Sequence, residues 1–295
     1  MKHWIVSSSE SGVKLIDFLK NKIPSTSSTR KLKRLIESNC CQINGRTERF
    51  ASAVLGSGDE VRFLMEAEPD AAPKLTLAER ARILYEDTDL FIYNKPPGLS
   101  SDSPAFHKAL KELTPHVELI HRLDKETSGI LMFAKTSKMR EAMIEEFRRK
   151  KVIKTYLAIV DGVPAKNKGA VDNYLGKIAE YQGQSLWGSV IHEKGLHART
   201  EWELKKKGKE AAILYCHPIT GRTHQIRVHL SGIGHPILGD HQYGKKSRCS
   251  YVPSRCLLHA LSVSFIHPMT KEPLHIEAEI PEDILKTIQQ IMQPG

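Results

Sequence analysis

The apolar positions near the start of the chain predict two short helices followed by a β-hairpin. Within residues 13–23, and again within residues 30–38, apolar side chains recur with the helical period, which is typical of a helix with one buried face. Residues 41–43 alternate between apolar and polar side chains and lead into Asn44 and Gly45, a pair that favours a type I′ hairpin turn. These elements predict a small α+β unit.

Beyond this unit the apolar positions mostly recur at every second residue, which indicates strands. The intervening residues 66–78 contain prolines, small residues and acids without an apolar period, and we interpret them as a linker. Residues 165–198 are rich in glycine and polar side chains and predict no clear element. The segments with the clearest strand pattern are 83–85, 90–93, 130–134, 154–160, 198–204, 211–216, 258–265 and 274–280.

A few helices interrupt these strands. We expect Ser137 to cap one helix, Thr223 to cap a second, shorter one, and a last helix to begin near Pro281. Strands with interspersed helices predict the α+β class. The architecture that follows is a large mixed, mostly antiparallel sheet with flanking helices in residues 79–295, and a small α+β N-terminal domain in residues 1–65.

The charge balance of the chain indicates a polyanionic partner. The 295 residues include 44 Lys and Arg against 34 Asp and Glu, a formal net charge of +10, and the isoelectric point is about 9.3. Such a charge favours RNA or DNA as the partner. A basic protein without nucleic acid stays an alternative, because net charge reports on association and not on fold.

The cysteine and histidine spacings point away from disulfides and metal sites. None of the five cysteines forms a C-x-x-C pair. His224 and His229 are five residues apart, and no H-x-x-x-H pattern occurs. The N-terminus lacks the apolar core of a signal peptide, and no run approaches the roughly 18 apolar residues of a membrane span. We therefore expect a cytoplasmic protein with no membrane segment and no bound metal.

The segment HRLDKETSGI, residues 121–130, concentrates charged and hydroxyl side chains immediately before an apolar strand. Its Asp124 would be held at the edge of that strand, a suitable position for a catalytic carboxylate. Aspartates in loops also commonly cap turns. The segment by itself therefore leaves both interpretations open.

Several segments together resemble, in order and spacing, the motifs of the RluA-type family of RNA pseudouridine synthases. They are NKPPGLSSDSP at 94–104, HRLDKETSGI at 121–130, KTYLAIVDG at 154–162 and GRTHQIRVHLSGIGHPILGDHQYG at 221–244. The two N-terminal helices and the hairpin resemble the S4-like RNA-binding module, which several members of that family carry in front of the catalytic domain. The resemblance covers essentially the whole chain.

The resemblance implies an enzyme that isomerises uridine to pseudouridine in RNA without a cofactor or a metal. Asp124 matches the catalytic aspartate, which acts either as a nucleophile or by taking a sugar proton, and Arg227 matches the arginine that keeps it ionised. Tyr156 matches the tyrosine that stacks on the target uracil and is a candidate for removing the proton from carbon 5. Arg122 matches the arginine that fills the gap left by a flipped-out nucleotide. His121 is expected to contact backbone or to orient the loop.

Basic side chains outside these motifs are further candidate RNA contacts. Those on the second predicted helix are Arg30, Lys31, Lys33 and Arg34. Arg148 and Arg149 begin a run of cations at the C-terminal end of another helix, where they suit either phosphate binding or the helix dipole. We also expect Lys95 to be presented from the rigid turn that its two following prolines form.

The implied partner is structured RNA, with large-subunit ribosomal RNA favoured and transfer RNA as the alternative, and a monomer is preferred. Two rival activities would use the same residues. One is an inactive RNA-binding or ribosome-assembly factor, and the other is an RNA glycosidase that releases free uracil.

Overall fold

The computed structural model of the chain describes residues 2–23, 29–37, 40–48, 50–63, 78–181, 184–244, 248–251 and 253–291. It divides the chain into two units, Met1–Thr76 with Glu180–Gln184, and Leu77–Ala179 with Ser185–Gly295. Almost all of the predicted linker at 66–78 lies outside the described residues. The domain boundaries given above therefore stay a prediction.

The first unit combines two helices with a small antiparallel sheet. The helices are α1 (Leu15–Lys22) and α2 (Thr29–Glu37). The strands are β1 (Lys2–Ile5), β2 (Cys41–Ile43), β3 (Arg46–Thr47) and β4 (Glu60–Phe63), in the order β1-β4-β2-β3. Between β2 and β3, Asn44 and Gly45 have φ angles of 53° and 76°, the positive values that a type I′ turn requires. Both predicted helices and the hairpin are confirmed.

The second unit holds a large sheet with helices packed against it. Its strands are β5 (Ile83–Glu86), β6 (Leu90–Lys95), β7 (Glu118–Leu119), β8 (Ser128–Ala134), β9 (Ile153–Asp161), β10 (Lys168–Tyr181), β11 (Gln184–Val190), β12 (Leu196–Lys207), β13 (Ala211–Pro218), β14 (Leu258–Ile266) and β15 (Pro273–Glu277). Its helices are α3 (Pro104–Leu113), α4 (Ser137–Arg148), α5 (Gln225–Gly232) and α6 (Glu282–Ile291). Short 3₁₀ helices in the two units are Ser8–Glu10, Arg80–Arg82 and His192–Lys194.

The large sheet is mixed and mostly antiparallel, as the sequence predicts. Its strands follow the order β11-β10-β12-β13-β9-β14-β8-β6-β5, while β15 pairs with β14 and β7 pairs with β8. In the centre β14 and β8 run parallel, whereas β14 with β9 and β8 with β6 are antiparallel. The parallel pair brings the start of β8 next to the start of β14, and the loop that carries Asp124 leads directly into β8.

Two apolar clusters support the sheet around this central pair. One joins β6 and β8 to α3 and α4 through Phe106, Phe133 and Met143. The other joins β9 and β13 to α5 and α6 through residues such as Leu230 and Ile284. Leu123 and Ile130, on either side of Asp124, both belong to the first cluster, whereas Ile226, next to Arg227, belongs to the second.

The starts of two helices differ from the predicted caps. Helix α4 is capped by Thr136, whose hydroxyl accepts from the Met139 N–H at 3.2 Å, and not by Ser137. Helix α5 begins after His224, which has a left-handed backbone (φ 54°), so Thr223 is not its cap. Helix α3 was not predicted at all. Local rules place a helix only to within a few residues, and tertiary contacts decide the rest.

Gly129 lies at a close approach between β8 and β14. It pairs with Ala260 and has a φ of +103°. A Cβ atom placed there would lie 2.2 Å from the carbonyl oxygen of Ala260, far inside van der Waals contact. Only glycine allows the parallel pairing that sets the exit of the Asp124 loop.

We expect Gly129→Ala to lower the free energy of unfolding far more than Gly234→Ala. Both glycines have positive φ, +103° and +83°, so alanine at either position costs about 1 to 2 kcal/mol of backbone strain. A Cβ at Gly234 meets no atom within 4 Å, whereas one at Gly129 forces the strands apart, which adds about 1 to 3 kcal/mol. Urea denaturation compares the two variants, and equal losses would contradict this account.

Candidate active site

A cleft opens in the second unit between the loop before β8, strand β9, the end of β13 and the start of α5. It contains about 510 Å³ of empty space, part of which is open solvent. Asp124, Tyr156 and Arg227 all line it, and so does Arg122. The structure thus brings together the residues that the sequence motifs nominated from separate segments.

Two residues of the segment 94–104, Lys95 and Ser101, hold the loop that carries Asp124. The Ser101 hydroxyl accepts from the Leu123 N–H at 3.0 Å and donates to the Leu123 carbonyl at 2.9 Å. Lys95 is fully buried, and its Nζ donates to the carbonyls of Pro96, Leu99 and Lys125 at 3.0, 2.9 and 3.3 Å. The expectation that Lys95 is presented to the outside is therefore wrong, because its ammonium is enclosed by backbone oxygens. Burial lowers the pKa of this lysine to about 7.

A second buried cation holds the other side of the same loop. The Arg255 guanidinium donates to both carboxylate oxygens of Asp283, at 2.6 and 3.0 Å, and to the carbonyl of Glu126 at 3.0 Å. The Cys256 N–H donates to the Glu126 side chain at 2.9 Å. Side chains from outside the loop thus bind the loop backbone on both sides of Asp124. These hydrogen bonds restrict the movement of the carboxylate.

Arg227 connects Asp124 to a second, fully buried carboxylate. Its Nη1 donates to Asp124 Oδ2 at 3.1 Å. On its other side Nε and Nη2 donate to the two oxygens of Asp240 at 2.7 and 2.9 Å, and Nη2 also donates to Gln242 at 3.0 Å. Burial opposes the charge on Asp240, but the Arg227 guanidinium outweighs it and holds the pKa of that carboxyl below its usual value. Arg227 is therefore anchored by Asp240 and offers its remaining edge to Asp124.

Tyr156 lies on β9 beside the Asp124 loop and lines the cleft. Burial, reinforced by the nearby Asp124 charge, raises the pKa of its hydroxyl well above the ordinary value. Near neutral pH the phenol therefore keeps its proton. Its ring face suits stacking, whereas removing a proton from a substrate would first need the phenol to lose its own.

Arg122 and His121 precede Asp124 but point to different surroundings. The Arg122 side chain is 70% exposed and forms an ion pair with Asp102 at 3.0 Å. The His121 Nε2 accepts from the Met132 N–H at 3.2 Å, and the ring lies 5.4 Å from that of Phe147. Arg122 is thus accessible to solvent at the cleft, whereas the contacts of His121 suit a role in orienting the loop.

Arg148 and Arg149, which were also predicted to contact RNA, are not among the residues that line this cleft. Arg148 and Arg149, with side chains 76% and 58% exposed, both bind Glu145 at the end of α4. Lys33 is exposed on α2 of the first unit. The side chains of Arg30, Lys31 and Arg34 lie outside the described residues. RNA binding by all of these stays a prediction.

Two residues of the site were not predicted from the sequence to lie beside the Asp124–Arg227 pair. Asp240 anchors Arg227, and His224 places its Nε2 3.9 Å from Asp124 Oδ1. Both lie inside the quoted segment GRTHQIRVHLSGIGHPILGDHQYG, so the motif contained the signal. What the motif lacked was any indication that Asp240 binds Arg227 or that His224 lies near Asp124.

The described ranges show no candidate metal cluster and no membrane-spanning helix. Among those residues no group of three or more His, Cys, Asp or Glu is placed to hold a metal ion. No described helix is long and apolar enough to cross a membrane.

We expect a fall in pH to lower the free energy of unfolding more for the native protein than for the His121→Gln variant. Burial, together with the Lys154 charge, lowers the folded pKa of His121 to about 4 from 6.5. Between these values the unfolded chain binds a proton that the native state excludes, so the stability present above pH 6.5 is lost as the pH falls towards 4. At pH 5 the loss is up to about 2 kcal/mol. A Gln carbonyl can accept from Met132 without titrating.

Urea unfolding of both proteins at pH 7.5 and pH 5 measures this effect as a difference. The other histidines titrate alike in the two proteins, so the native-minus-variant difference isolates His121. An unchanged difference at the two pH values would contradict the buried neutral imidazole.

Comparison with known proteins gives a consistent family. A family model described as RNA pseudouridylate synthase matches residues 89–232. The chain is 32% identical over 300 residues to "Ribosomal large subunit pseudouridine synthase C" of Vibrio vulnificus (strain CMCP6), covering 95% of this chain and 93% of the relative. The protein of the same name from Escherichia coli (strain K12) is 30% identical over 307 residues, with 97% and 95% covered.

A solved structure agrees with these sequence relatives. "Human RNA Pseudouridylate Synthase Domain Containing 4" superimposes with a TM-score of 0.62 at 28% identity, covering 75% of this chain and 98% of the human one. The chain therefore belongs to the RluA-type family of RNA pseudouridine synthases, and is an isomerase.

Proposed function

We propose that this enzyme isomerises uridine in large-subunit ribosomal RNA and that Asp124 is its catalytic carboxylate. The observation that carries the proposal is the pairing of Asp124 Oδ2 with Arg227 at 3.1 Å, inside a cleft that also contains Tyr156. The reaction breaks the bond from ribose carbon 1′ to uracil nitrogen 1 and forms one to carbon 5, with a proton leaving carbon 5 and one added at nitrogen 1. Nothing is oxidised and no atom is imported, so no cofactor is required.

The carboxylate of Asp124 suits either route to this rearrangement. As a nucleophile it would attack the sugar or the pyrimidine, and as a base it would take a sugar proton and leave a glycal. Both routes need an ionised carboxylate with one oxygen available to the substrate. Arg227 occupies Oδ2, whereas Oδ1 accepts no hydrogen bond from the residues that the structure describes. Oδ1 is therefore the oxygen that faces the reaction.

Tyr156 is proposed to hold the uracil ring while the bond to the sugar is broken. A detached uracil must turn so that carbon 5, and no longer nitrogen 1, faces the ribose. A flat aromatic face beside Asp124 lets the base rotate in its own plane without leaving the cleft. Because the hydroxyl of Tyr156 keeps its proton, we assign it stacking and not the first proton removal.

Arg122 is proposed to take the place of the target nucleotide in the RNA stack. Chemistry at the sugar-to-base bond requires the nucleotide to leave the helix, and a planar cation is a suitable temporary replacement. The side chain lies at the cleft, and its ion pair with Asp102 is solvent-exposed on both partners. Exposed pairs contribute at most about 1 kcal/mol, so RNA can displace Asp102 readily.

The proposed target follows from the relatives and from the first unit. Both quoted bacterial relatives carry the words "Ribosomal large subunit" in their names, and they align over 95% and 97% of this chain. We further propose that α1, α2 and the β2–β3 hairpin form an S4-like RNA-binding module, since α2 carries basic residues such as Lys33. The enzyme would act as a monomer in the cytoplasm.

Asp124→Asn is expected to abolish pseudouridine formation while leaving RNA binding intact. The amide keeps the size of the side chain but removes its charge, and loss of a positioned acid or base lowers rates by at least about 100-fold. The matched control is Glu282→Gln, which makes the same chemical change at an exposed residue of α6 that pairs with Lys286. Rates are measured on a transcript of large-subunit ribosomal RNA.

Activity retained in Asp124→Asn would remove this residue from the catalytic role. Free uracil among the products of the native protein would indicate a glycosidase in place of the isomerase.

Deleting the gene is expected to remove pseudouridine from specific positions of large-subunit ribosomal RNA and to leave transfer RNA unchanged. Chemical mapping of pseudouridine in cellular RNA measures both. The native gene should restore the modification, and a gene encoding Asp124→Asn should not. Loss confined to transfer RNA would refute the proposed target without touching the assignment of Asp124.

A further inference from the structure

A chain of hydrogen-bonding groups leads from the edge of the sheet to Asp124. The Trp187 N–H of β11 donates to the Tyr243 hydroxyl at 3.1 Å. The Tyr243 hydroxyl lies 2.9 Å from His224 Nδ1. The other ring nitrogen of His224, Nε2, lies 3.9 Å from Asp124 Oδ1, the carboxylate oxygen that Arg227 does not bind.

This arrangement selects one tautomer of His224. The Tyr243 oxygen already accepts a proton from Trp187, and no other described group receives the hydroxyl's own proton. Burial raises the pKa of Tyr243, so the hydroxyl keeps its proton and can donate it to His224 Nδ1. A neutral imidazole whose Nδ1 accepts must carry its proton on Nε2. That N–H is the one nearest to Asp124.

The backbone of His224 supports the same orientation. The residue has φ 54° and ψ 19°, a left-handed conformation that is costly for a non-glycine residue and that persists where its surroundings impose it. The ring packs edge-on against Tyr243, with centroids 5.6 Å apart. Burial, followed by the Arg227 charge, lowers the pKa of His224, which keeps the ring neutral near pH 7. The imidazole is thus held as a neutral donor.

We propose that His224 is a positioning residue for Asp124, held by Tyr243 as the Nε2–H tautomer so that it can donate to Asp124 Oδ1. The inference rests on the proposed catalytic role of Asp124. With Arg227 alone on Oδ2, the carboxylate plane can rotate about its last bond, because that torsion has broad minima. A donor on Oδ1 would fix the plane and leave one lone pair directed at the ribose. The present 3.9 Å shortens when RNA closes the cleft, as catalytic hydrogen bonds commonly do.

The decisive comparison is His224→Asn against His224→Gln. The Gln amide nitrogen can reach the position of Nε2 and donate to Asp124, whereas the shorter Asn replaces Nδ1 and cannot. Asn tolerates the left-handed backbone better than Gln does, so a purely structural role predicts Asn as the milder change. We expect the reverse for activity. His224→Asn should lower kcat by about 10- to 100-fold with KM changed little, and His224→Gln should stay within a few-fold of native kcat.

A readout without RNA tests the tautomer itself. In protein labelled with ¹⁵N-histidine, the ring nitrogens of His224 should show a protonated Nε2 and an unprotonated Nδ1, with the signals assigned by their loss in His224→Asn. Tyr243→Phe keeps the aromatic ring under Arg227 but removes the hydroxyl, and it should shift His224 towards a mixture of tautomers. The control is Tyr251→Phe, which removes a hydroxyl bonded to Thr287 and should leave the His224 signals unchanged.

Native kcat in His224→Asn, or an Nδ1–H or doubly protonated ring in the native protein, would overturn the proposal. These outcomes are separate from failure of the proposed function. If Asp124→Asn were fully active, the catalytic role of Asp124 would fall, whereas an inactive Asp124→Asn beside a fully active His224→Asn would refute the role of His224 alone.

Discussion

One guanidinium shared by two carboxylates determines the geometry of this active site. Asp240 is fully buried and takes two hydrogen bonds from Arg227, while the partly exposed Asp124 takes one. Removing one partner from such a buried pair costs about 3 to 5 kcal/mol. The position of Arg227 is therefore set by Asp240, and Asp124 pairs with Arg227 at that position. The three side chains together carry a net negative charge. A cleft that admits RNA therefore needs the cations around it, among them Arg122 and Lys154.

The loop before β8 is hydrogen-bonded to residues of the neighbouring strands and segments, and these bonds fix the position of Asp124. Lys95 ends β6, the neighbour of β8, and its ammonium binds the carbonyl of the residue that follows Asp124. Arg255 precedes β14, the other neighbour, and binds the next carbonyl along. Strand β6 and the segment before β14 thus each contribute a buried basic side chain that binds one short segment of backbone. Because Gly129 allows β8 and β14 to pair closely, the segment before β14 lies near this backbone and Arg255 can bind it.

The strand pattern predicted most of the fold because alternation between faces is a local property of the sequence. Strand β10 escaped prediction, since its glycines and polar residues show no alternation and its extent depends on pairing with β12. Helix α3 was missed although Ser103 and Pro104 are a regular helix start. For the site, Asp124, Tyr156 and Arg227 came from motifs and not from periodicity. The burial of Lys95 could not be foreseen, because its three acceptors come from two separate loops.

The contact between Trp187 and Tyr243 has an implication for how this family can vary. The donor is a main-chain N–H, so exchanging the indole for another side chain leaves the hydrogen bond in place. An insertion or deletion in β11, however, would present a different amide, or a carbonyl, to the Tyr243 hydroxyl. Strand β11 lies at one end of the sheet order, with β10 as its neighbour. The hydrogen bond to Tyr243 therefore constrains the length of β11 more than it constrains the side chain at position 187.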